Sequence, residues 1–544
     1  MKYKIIIPST EVVPAELQKI AKLPAIIYPI NQKMVFDYLY KQYKEKCDFM
    51  KIICHEEADK VHQFLSKYAG EKLIIENLPV LDDLGHTIYY ALRDIDNPIV
   101  INFADTIVLD DIMQMEKDAY FYSLDYYSDI WTYFEEKDEV ITAIHDKIPA
   151  TSMGKGKLFV GVFKLAHTVF FKKCLEMAFI TGNRRENTLY YALKKYSEKY
   201  PMKAVKTDNW FDIGHADKYY HSNLEVRARE FNHISIDKRR GILRKSSDDT
   251  DKFIGEIKWY LKLPSAVEYV RPRIFEYSTA YDEPYISMEY YAYHTLHELF
   301  LYGDLTPQQW LDIFENIRFV CKDFGRYRVR DSNIRSALED MYLTKTLQRL
   351  ENLSSDAHFK KFFNRPIQVN GVGYKSLEYI VEILVSQIPK LLYDIDTFQI
   401  IHGDLCFSNI MVDGNFTFIK LIDPRGKFGA YNLYGDFRYE LAKLLHSIDG
   451  RYDFIIDDLF ELKYDLQHTT ISYTILNSKK SYDLYKIFIK VFQDEIGRDL
   501  KKIELIEALL FLSMIPLHSE SLEHQLLMLG RGIEILDRVF NVKL

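Results

Sequence analysis

The first part of the chain alternates between short apolar runs and stretches in which apolar side chains recur at helical spacing. Residues 3–7 (Tyr-Lys-Ile-Ile-Ile) predict a buried first strand, and helical spacing predicts a helix around Met34–Lys44. Three further apolar runs predict strands: Lys51–Cys54, Lys72–Ile75 and Pro98–Phe103. Strands that alternate with helices predict a parallel sheet with helices on both faces. Because ligands bind beyond the carboxyl ends of such strands, Asp105, after the last run, is well placed for chemistry.

Past residue 216 the pattern changes, and strands come first with helices after them. In chain order we expect a helix over Lys218–Phe231, a hairpin of Ile234–Ile236 and Ile242–Lys245, a helix over Asp251–Leu261, a strand over Tyr285–Glu289 and a long helical stretch to the C terminus. This order predicts a separate α+β domain. No internal repeat or Pro/Gly/Ser-rich linker marks the junction. We place the boundary near residue 225, which gives domains 1–225 and 226–544.

Composition and charge exclude several classes of protein. The 544 residues are roughly three to four times the usual domain length, so two or more domains are expected. Hydrophobic residues make up 48% and charged residues 28%, which fits soluble globular domains and excludes wholesale disorder. The net charge of −8 disfavours nucleic acid as a partner, because proteins that bind phosphate backbones usually carry a basic surplus.

Cysteines, histidines and apolar runs give no evidence of an oxidised, metal-bound or membrane-inserted protein. The five cysteines form no CxxC pair, so a disulfide framework or zinc site is not predicted and a reducing compartment is indicated. No histidine cluster has metal-ligand spacing, and we expect His518 and His524 to pack in the core or at the surface. The N terminus is apolar for only three residues before Pro8, and no apolar run reaches the roughly 18 residues of a membrane span. We therefore expect a cytoplasmic protein without membrane insertion.

The segment Ile401–Asn415 carries the pattern H-x-D-x-x-x-x-N, formed by His402, Asp404 and Asn409. Phosphoryl transfer from ATP needs a carboxylate that orients the acceptor hydroxyl and two oxygen ligands that hold Mg²⁺ against the phosphates. This pattern supplies the first carboxylate and an amide oxygen from one tight loop. A predicted hairpin then brings Asp423, at the end of the next apolar strand, opposite them.

This segment resembles the catalytic loop of the choline kinase and aminoglycoside phosphotransferase family, which has a protein-kinase-like α+β fold. The resemblance implies that Asp404 is the catalytic base, that His402 supports the catalytic loop, and that Asn409 and Asp423 are Mg²⁺ ligands. Pro-Arg-Gly follows Asp423 in place of the Phe-Gly of protein kinases, which favours a small-molecule kinase. By the same resemblance Asp436, further along the chain, would brace the loop.

Members of this family hold the phosphates of ATP with a strand lysine that a glutamate of the next helix braces. The resemblance gives these roles to Lys245 and Glu256, with Arg244 as the rival cation. Met288 and Tyr290 fall where the adenine-binding hinge is expected from the order of the elements. We therefore include both among the predicted ATP contacts.

Several segments of residues 1–225 resemble, in the same order, the sugar-phosphate and phosphocholine nucleotidyltransferases, which have a Rossmann-like mixed sheet. The segments are Lys22–Leu39, Leu84–Leu92, Asn102–Asp105, Phe159–Phe163 and Trp210–Gly214. In that reaction a substrate phosphate attacks the α-phosphate of a nucleoside triphosphate, and two carboxylates from distant strands can hold the Mg²⁺ that neutralises the phosphates. The resemblance implies that Asp105 and Asp212 are these ligands and that Gly85 belongs to the turn that contacts the nucleobase.

The loop after the first strand departs from the pattern of these nucleotidyltransferases. They carry a glycine-rich loop with an arginine that binds the triphosphate, whereas Pro8–Gln18 contains neither residue type. Ala25 stands where a lysine is usual, and Glu11 adds negative charge. Either Ser9, Thr10 and backbone amides bind the triphosphate in a divergent subgroup, or the domain binds without catalysing.

Together the two resemblances predict a bifunctional enzyme for small-molecule substrates. The kinase domain would phosphorylate a metabolite with ATP and Mg²⁺, and the other domain would join the product to a second nucleotide, with CTP favoured. An amino alcohol such as choline or ethanolamine is the first expectation for the acceptor, and a sugar or glycerol-like alcohol is the second. Such pairs make precursors of bacterial capsules and lipopolysaccharide.

Two other functions stay open from the sequence. The first is a kinase with a non-catalytic N-terminal binding or scaffold domain, and the second is a regulatory protein without turnover. The complete set Asp404, Asn409 and Asp423 disfavours the second. The acceptor, the nucleotide base and the oligomeric state are not predicted.

Overall fold

Two compact units, Met1–Arg227 (unit 1) and Ala228–Leu544 (unit 2), make up the chain. The computed structural model describes residues 3–68, 70, 72–112, 115, 117–147, 154–181, 187–215, 218–219, 233–237, 239–476 and 482–544. Within these ranges no helix is both long and apolar enough to cross a membrane.

Strands and helices alternate in the first half of unit 1, as the apolar pattern predicts. The described strands are β1 (Tyr3–Ser9), β2 (Pro29–Ile30), β3 (Lys33–Met34), β4 (Cys47–Cys54), β5 (Leu73–Asn77), β6 (Ile99–Asn102), β7 (Thr106–Val108), β8 (Ala119–Tyr126), β9 (Thr132–Lys137), β10 (Val140–Asp146), β11 (Lys155–Leu165), β12 (Lys203–Lys206) and β13 (Trp210–Asp212). The described α-helices are α1 (Val35–Tyr43), α2 (Ala58–Phe64), α3 (Leu84–Ala91), α4 (Thr168–Thr181) and α5 (Thr188–Lys199).

One mixed sheet organises unit 1, with the strand order β10-β9-β11-β6-β1-β4-β5 along its main path. Strand β1 pairs in parallel with β4 and β6, and β4 pairs in parallel with β5. Strand β11 runs antiparallel to β6, β8 and β9, and β12 adds to β8. A separate antiparallel ladder joins β13 to β7.

Burial on both faces explains the continuous apolar runs of the central strands. Ile5–Ile7 in β1 and Ile99–Ile101 in β6 are completely buried. Polar residues come where these two strands end, with Ser9 closing β1 and Asn102 closing β6. Asp105 follows three residues after Asn102, so the polar groups gather at the carboxyl edge of the parallel strands.

The predicted elements of unit 1 are confirmed with shifted ends, but the sheet is not parallel throughout. The strand predicted at 3–7 is β1, the helix is α1, and the three apolar runs lie in β4, β5 and β6. In the antiparallel half, Asp138 and Glu139, both with positive φ, close a tight hairpin between β9 and β10. Most of the helix predicted over Lys218–Phe231 lies outside the described residues. Within the predicted range, Lys218 and Tyr219 are described, and both are helical.

Unit 2 begins with strands and continues mainly with helices. Its described strands are β14 (Ile234–Asp237), β15 (Ile242–Ser246), β16 (Ile274–Ser278), β17 (Tyr285–Glu289), β18 (His294–Thr295), β19 (Arg328–Val329), β20 (Ile367–Val369), β21 (Val372–Tyr374), β22 (Phe398–Ile400), β23 (Ile410–Val412), β24 (Ile419–Leu421), β25 (Tyr434–Gly435), β26 (Phe460–Asp465) and β27 (Thr470–Ile475).

The described α-helices of unit 2 are α6 (Thr250–Lys262), α7 (Leu296–Leu301), α8 (Pro307–Phe324), α9 (Ile334–Leu338), α10 (Lys345–Ser354), α11 (Lys360–Asn364), α12 (Leu377–Leu392), α13 (Phe437–Ile448), α14 (Tyr452–Ile456), α15 (Leu484–Val491), α16 (Gln493–Ile496), α17 (Leu500–Met514) and α18 (Leu522–Phe540). A π-helical stretch, Glu339–Thr344, joins α9 to α10.

Four sheets organise the strands of unit 2 in the described part of the chain. An antiparallel sheet has the order β14-β15-β17-β16, and two small sheets have the orders β18-β23-β24 and β19-β22-β25. The predicted hairpin is β14 and β15, the helix over Asp251–Leu261 is α6, and β17 has the predicted bounds.

The prediction of a long helical stretch to the C terminus is wrong over part of its length. A fourth sheet, β21-β20-β27-β26, interrupts it. Strand β27 reads Thr-Ile-Ser-Tyr-Thr-Ile, with isoleucine or tyrosine at every second position and β-branched neighbours, which favours a strand over a helix. The apolar helices α12, α17 and α18, on either side of β26 and β27 in the chain, have a longer apolar pattern than these strands.

Candidate functional site

A buried glutamate, Glu440, holds the loop that follows β22 and contains His402 and Gly403. The amide N–H groups of His402 and Gly403 each donate to one carboxylate oxygen of Glu440 in α13, at 2.8 Å. His402 is completely buried, and burial lowers the pKa of its ring to about 4. The neutral ring donates from Nε2 to the carbonyl oxygen of Ile422 at 3.0 Å. His402 thus fastens the loop to the end of β24.

Asp404 faces a lysine and an asparagine. Its Oδ1 lies 2.8 Å from Nζ of Lys443, and Nδ2 of Asn409 donates to its Oδ2 at 3.2 Å and to its carbonyl oxygen at 2.9 Å. Burial alone would raise the pKa of Asp404, but the Lys443 ammonium lowers it to about 2. Asp404 is therefore ionised at neutral pH and can accept a hydrogen bond from a hydroxyl group.

Lys245 links the first sheet of unit 2 to the end of β24. Its Nζ donates to Glu256 in α6 at 2.9 and 3.1 Å and to Oδ1 of Asp423 at 2.8 Å. Burial alone would lower the pKa of Lys245, but the carboxylates of Asp423 and Glu256 raise it above its ordinary value. The lysine stays charged and is aimed at the carboxylate that the motif predicts to bind Mg²⁺.

The backbone around Asp423 is strained and closely packed. Asp423 has a φ of +54°, a left-handed conformation that costs a non-glycine residue energy and that persists at functional sites. Its amide N–H donates to the hydroxyl of Tyr260 at 3.0 Å. A Cβ on Gly426 would lie 2.2 Å from the carbonyl oxygen of Gly255, so the loop after Asp423 presses against α6, next to Glu256.

Asn409 and Asp423 offer the oxygen ligands that the motif predicts. They flank the β23–β24 hairpin, and the amide N–H of Ile422 donates to the carbonyl oxygen of Asn409 at 3.0 Å. One amide and one carboxylate are hard oxygen donors of the kind that Mg²⁺ takes, while it keeps waters and phosphate oxygens as its other ligands. The donor set therefore fits this ion.

The other predicted positions of unit 2 fall around this centre. Asp436 caps α13 and binds Arg438 and the hydroxyl of Tyr342, whereas the bonds to the loop amides come from Glu440. Arg244, the rival of Lys245, points to the other face of β15 and stacks on Tyr285 at 3.6 Å.

The predicted hinge residues lie where β17 ends. Met288 is buried opposite Leu243 of β15, and the amide N–H of Tyr290 donates to the carbonyl oxygen of Gly241 at 2.8 Å. Their role as ATP contacts stays a prediction.

In unit 1, a glycine leaves room for two neighbouring carboxylates, of which Asp212 is buried and Asp105 is half-buried. Asp105 follows β6 and Asp212 ends β13, and the amide N–H of Ile213 donates to the carbonyl oxygen of Asp105 at 2.8 Å. A Cβ on Gly214 would lie 2.5 Å from Oδ2 of Asp105 and 3.3 Å from Oδ1 of Asp212. The missing side chain of Gly214 is thus what leaves room for both acids.

The ionised forms of the paired acids of unit 1 are destabilised, chiefly by burial, and the pKa values of both are raised. Burial, and then the charge of Asp212, raise the pKa of Asp105 to about 6. Burial also raises the pKa of Asp212, although His215, with Nδ1 at 2.9 Å from its Oδ2, opposes the shift. Two neighbouring carboxylates with raised pKa values fit a site that a divalent cation completes, and their oxygens suit Mg²⁺.

Asp105 lines a cleft of about 560 Å³, and this volume is usual for sites that bind small molecules. Seventeen residues line it: Pro8, Ser9, Thr10, Glu11, Val12, Val13, Pro14, Ala25, Asp82, Asp83, Leu84, Phe103, Ala104, Asp105, Lys147, Gly214 and His215. Ser9 and Thr10, the predicted triphosphate contacts, are among them. The hydroxyl of Ser9 is buried and has no hydrogen-bond partner in the described part of the chain, so it is available to a ligand.

Gly85, the predicted nucleobase contact, is not among these lining residues. It lies in the first turn of α3, and a Cβ there would approach Oγ1 of Thr188 to 2.1 Å. Asp83 caps the same helix through the amide N–H of His86 at 2.9 Å and accepts from Thr188 at 2.5 Å. The structure therefore gives Gly85 a packing contact, while Leu84 and Asp83 face the cleft.

Several residues of these sites were not found from the sequence. Lys443 and Glu440 come from a helix more than 30 residues after the loop, and their spacing carries no motif. Lys147 and His215 reach the cleft from a loop and from a turn. The sequence signals His215 only by its position, because it directly follows the Trp-x-Asp-x-Gly stretch that ends at Gly214.

His518 and His524 lie in the partly buried and buried positions that the sequence predicts, and the fold brings them close to an acidic residue. Ligand atoms of His518, Glu520 and His524 lie within 4.8 Å of one another. The group forms because a 3₁₀ turn brings the ends of α17 and α18 together. One nitrogen of each ring is engaged by a carboxylate: Nδ1 of His518 lies 3.0 Å from Glu520, and Nε2 of His524 lies 2.7 Å from Asp458.

Comparisons with known proteins give only a distant likeness. No protein-family model matches the chain, and no curated protein matches it. Among solved structures, the CTP:phosphocholine cytidylyltransferase of Streptococcus pneumoniae is 14% identical, with a TM-score of 0.35, over 42% of this chain and 100% of its own. A putative glucose-1-phosphate thymidylyltransferase of Bacillus anthracis is 15% identical, with a TM-score of 0.34, over 44% of this chain and 98% of its own. The inositol-1-phosphate CTP transferase of T. maritima is 11% identical, with a TM-score of 0.29, over 40% and 91%.

Proposed function

We propose that the chain is a bifunctional transferase that acts on a small metabolite with a hydroxyl group. Unit 2 phosphorylates the hydroxyl with ATP, and unit 1 transfers a nucleotidyl group, from CTP in the first instance, to the phosphorylated product. The observation that carries the proposal is the bond between Lys245 and Asp423, with Glu256 as the brace of the lysine. This arrangement supplies a phosphate-binding cation beside a metal-binding carboxylate.

In the phosphoryl transfer, the acceptor oxygen bonds to the γ-phosphorus while the bond from that phosphorus to the β,γ-bridging oxygen breaks and ADP leaves. Asp404 accepts the hydrogen bond of the acceptor hydroxyl and orients it. Because its pKa is about 2, Asp404 acts mainly by orientation, and the proton leaves late with the product phosphate or to water. Bound Mg²⁺, held by Asn409 and Asp423, would neutralise the charge on the transferred phosphate.

In the nucleotidyl transfer, an oxygen of the phosphorylated acceptor bonds to the α-phosphorus of the nucleoside triphosphate, and pyrophosphate leaves. Asp105 and Asp212 are the residues that would hold Mg²⁺ at the mouth of the cleft. The hydroxyls of Ser9 and Thr10 and the amine of Lys147 would contact the triphosphate. Lys147 supplies one of the cations that the first loop lacks.

A second function for unit 1 is ligand binding without catalysis, and the charge of the cleft favours it. Glu11, Asp82 and Asp83 line the cleft together with Asp105, against Lys147 and His215 among the described lining residues. This excess of acids opposes a triphosphate unless metal ions compensate it.

Incubation with Mg²⁺, ATP and CTP across a panel of alcohols, followed by mass spectrometry, tests the proposal. A phosphorylated acceptor that Asp404→Ala abolishes, and a nucleotide conjugate that Asp105→Ala abolishes, support both activities. Asp282→Ala and Asp48→Ala, at exposed positions of units 2 and 1, are the matched controls and should leave both products. Phosphorylation without a conjugate supports binding without catalysis in unit 1. If neither the phosphorylated acceptor nor the conjugate forms, the proposal is overturned.

A further inference from the structure

A group of cations lies beside the proposed phosphoryl-transfer centre. It consists of Lys345 and Arg349 on α10, Arg425 after Asp423, and Lys443 on α13, and we call it the cationic cluster. Lys345 and Arg349 are four residues apart and lie on the same face of their helix. The π-helical stretch Glu339–Thr344 ends directly before Lys345, and such irregular turns are frequent at functional sites.

Hydrogen bonds tie the cluster to one small cavity. Lys345 lines this cavity together with Tyr342, Tyr439 and Ser513, and the volume of about 10 Å³ is room for one water at most and not for an acceptor. Nη1 of Arg425 donates to the hydroxyl of Tyr439 at 2.7 Å. Nη1 of Arg349 donates to the carbonyl oxygen of Ser513 at 3.0 Å. Two walls of the cavity are thus each held by a guanidinium group.

The cavity wall continues to the catalytic carboxylate. Tyr439 and Lys443 are four residues apart and share one face of α13. Nζ of Lys443 lies 2.8 Å from Oδ1 of Asp404. An acceptor whose hydroxyl is bonded to Asp404 therefore extends along this face toward Lys345.

The cluster has too few acids to balance its charge. Within the part of the chain that the structure describes, no carboxylate oxygen lies within 4 Å of a side-chain nitrogen of Lys345, Arg349 or Arg425, and Lys443 has Asp404 alone. Glu440 lies nearby but accepts from the loop amides. Partly buried cations without counter-charges are costly, and such groups are found where a ligand supplies the opposite charge.

The electrostatics of Lys345 agree with this geometry. Burial, and then the charges of Arg425, Arg349 and Lys443, lower the pKa of its amine to about 6. An anion bound beside Lys345 would restore the ordinary preference of the amine for its proton. A quaternary ammonium ion would meet repulsion from the charges of Arg349, Arg425 and Lys443, although aromatic rings of the kind that bind such ions are present.

We propose that the acceptor phosphorylated by unit 2 carries an anionic group besides its hydroxyl, a carboxylate or a phosphate, which Lys345, Arg349 and Arg425 bind. The inference rests on the proposed kinase function and names its substrate class. It replaces the expectation of a cationic amino alcohol. In this proposal the cationic cluster, and not the ATP site, selects the acceptor, and it does so by binding the acceptor's anionic group.

The test measures phosphorylation and binding for acceptors that differ in charge. With Mg²⁺ and ATP we expect turnover of glycerate or glycerol 3-phosphate, which separate carboxylate from phosphate recognition, and weaker turnover of glycerol and choline. Binding of each probe to the protein with a non-hydrolysable ATP analogue is measured by calorimetry as an independent readout. Lys345→Gln and Arg349→Gln should each raise KM for the anionic acceptor about tenfold or more and leave KM for ATP unchanged, since bonds to charged groups are among the stronger ones.

Lys360→Gln, an exposed lysine on α11 in the same unit, is the matched control and should change neither constant. Preferred turnover of choline or glycerol overturns the inference while the kinase function stands. A rise in KM for ATP in the cluster variants also overturns it, because the cations would then bind the nucleotide. The inference is also overturned if neither anionic probe binds. If no probe is phosphorylated and the protein does not bind ATP either, the kinase function itself is overturned.

Discussion

Nζ of Lys245 lies 2.8 Å from Oδ1 of Asp423, although 178 residues separate them in the chain. The lysine comes from a strand of the first sheet of unit 2, and the aspartate follows the hairpin after the His-Gly-Asp loop. Their contact joins two features that the sequence shows only separately. It is the strongest geometric support for a phosphoryl-transfer centre in unit 2.

Replacement of Lys245 tests this relationship directly. Lys245→Met keeps the length of the side chain but removes the cation, so the γ-phosphate loses a fixed positive charge. We expect phosphorylation to fall on the order of 100-fold, the usual effect of removing one preorganised electrostatic contact. Lys258→Met, on the exposed side of α6, is the control and should retain full activity. Equal activity of the two variants would contradict the assignment.

Glu440 holds the loop that carries Asp404, the proposed catalytic residue, through the amides of His402 and Gly403. Glu440→Gln leaves one of the two loop amides without a carboxylate oxygen, so Asp404 should lose its fixed orientation. We expect kcat for phosphorylation to fall about 10- to 100-fold, as for other outer contacts of an active site, while KM for ATP stays constant. Glu461→Gln, an exposed glutamate of β26, is the control. A change in KM for ATP with constant kcat would show that the glutamate acts elsewhere.

Gly214 holds the two acids of unit 1 together. Gly214→Ala places a Cβ 2.5 Å from Oδ2 of Asp105, so one carboxylate must move. We expect loss of nucleotidyl transfer with retained phosphorylation in the same preparation. Gly154→Ala, where a Cβ meets nothing within 4 Å, should leave both activities. If the Gly214 variant still forms the conjugate at the normal rate, Asp105 and Asp212 do not act as a pair.

The pH dependence of acceptor binding follows from Lys345. Its free amine has a pKa of about 6, and the protonated form binds an anion. Above about pH 6 binding must take up a proton, so KM for an anionic acceptor should rise with pH. Asp404, with a pKa of about 2, does not titrate in this range, and guanidinium groups such as those of Arg349 and Arg425 stay charged. Lys345→Gln should give a flat profile, and an unchanged slope in that variant would rule out this residue as the cause.

The sequence predicts what is local and misses what tertiary contacts assemble. Asp404 and Asn409 lie five residues apart in one loop, and Asp423 follows a short hairpin, so a spacing argument brings them together. Lys443 and Glu440 lie on a helix whose pattern is that of any buried helix. Their place at the loop depends on how α13 packs, which no local pattern encodes.

The same distinction explains the errors in the fold. Strands with a buried apolar run, such as β1 and β6, are predicted well from that run. The sheet of β20, β21, β26 and β27 was missed because two of its strands, β20 and β21, have only three residues each. The apolar pattern alone predicts a parallel sheet in unit 1, whereas the resemblance to the nucleotidyltransferases implies the mixed sheet that is found. The pattern misses the antiparallel half because strand direction depends on turns such as Asp138–Glu139, whose conformation the sequence indicates only weakly.

The central claim, two separable activities in one chain, is tested most directly by mixing two inactive variants. Asp404→Ala retains the unit 1 acids, and Asp105→Ala retains the unit 2 centre. Each is incubated alone and then together with Mg²⁺, ATP, CTP and the acceptor, and the nucleotide conjugate is measured by mass spectrometry. The account predicts no conjugate from either variant alone and its formation in the mixture. A conjugate from Asp404→Ala alone, or none in the mixture, would contradict it.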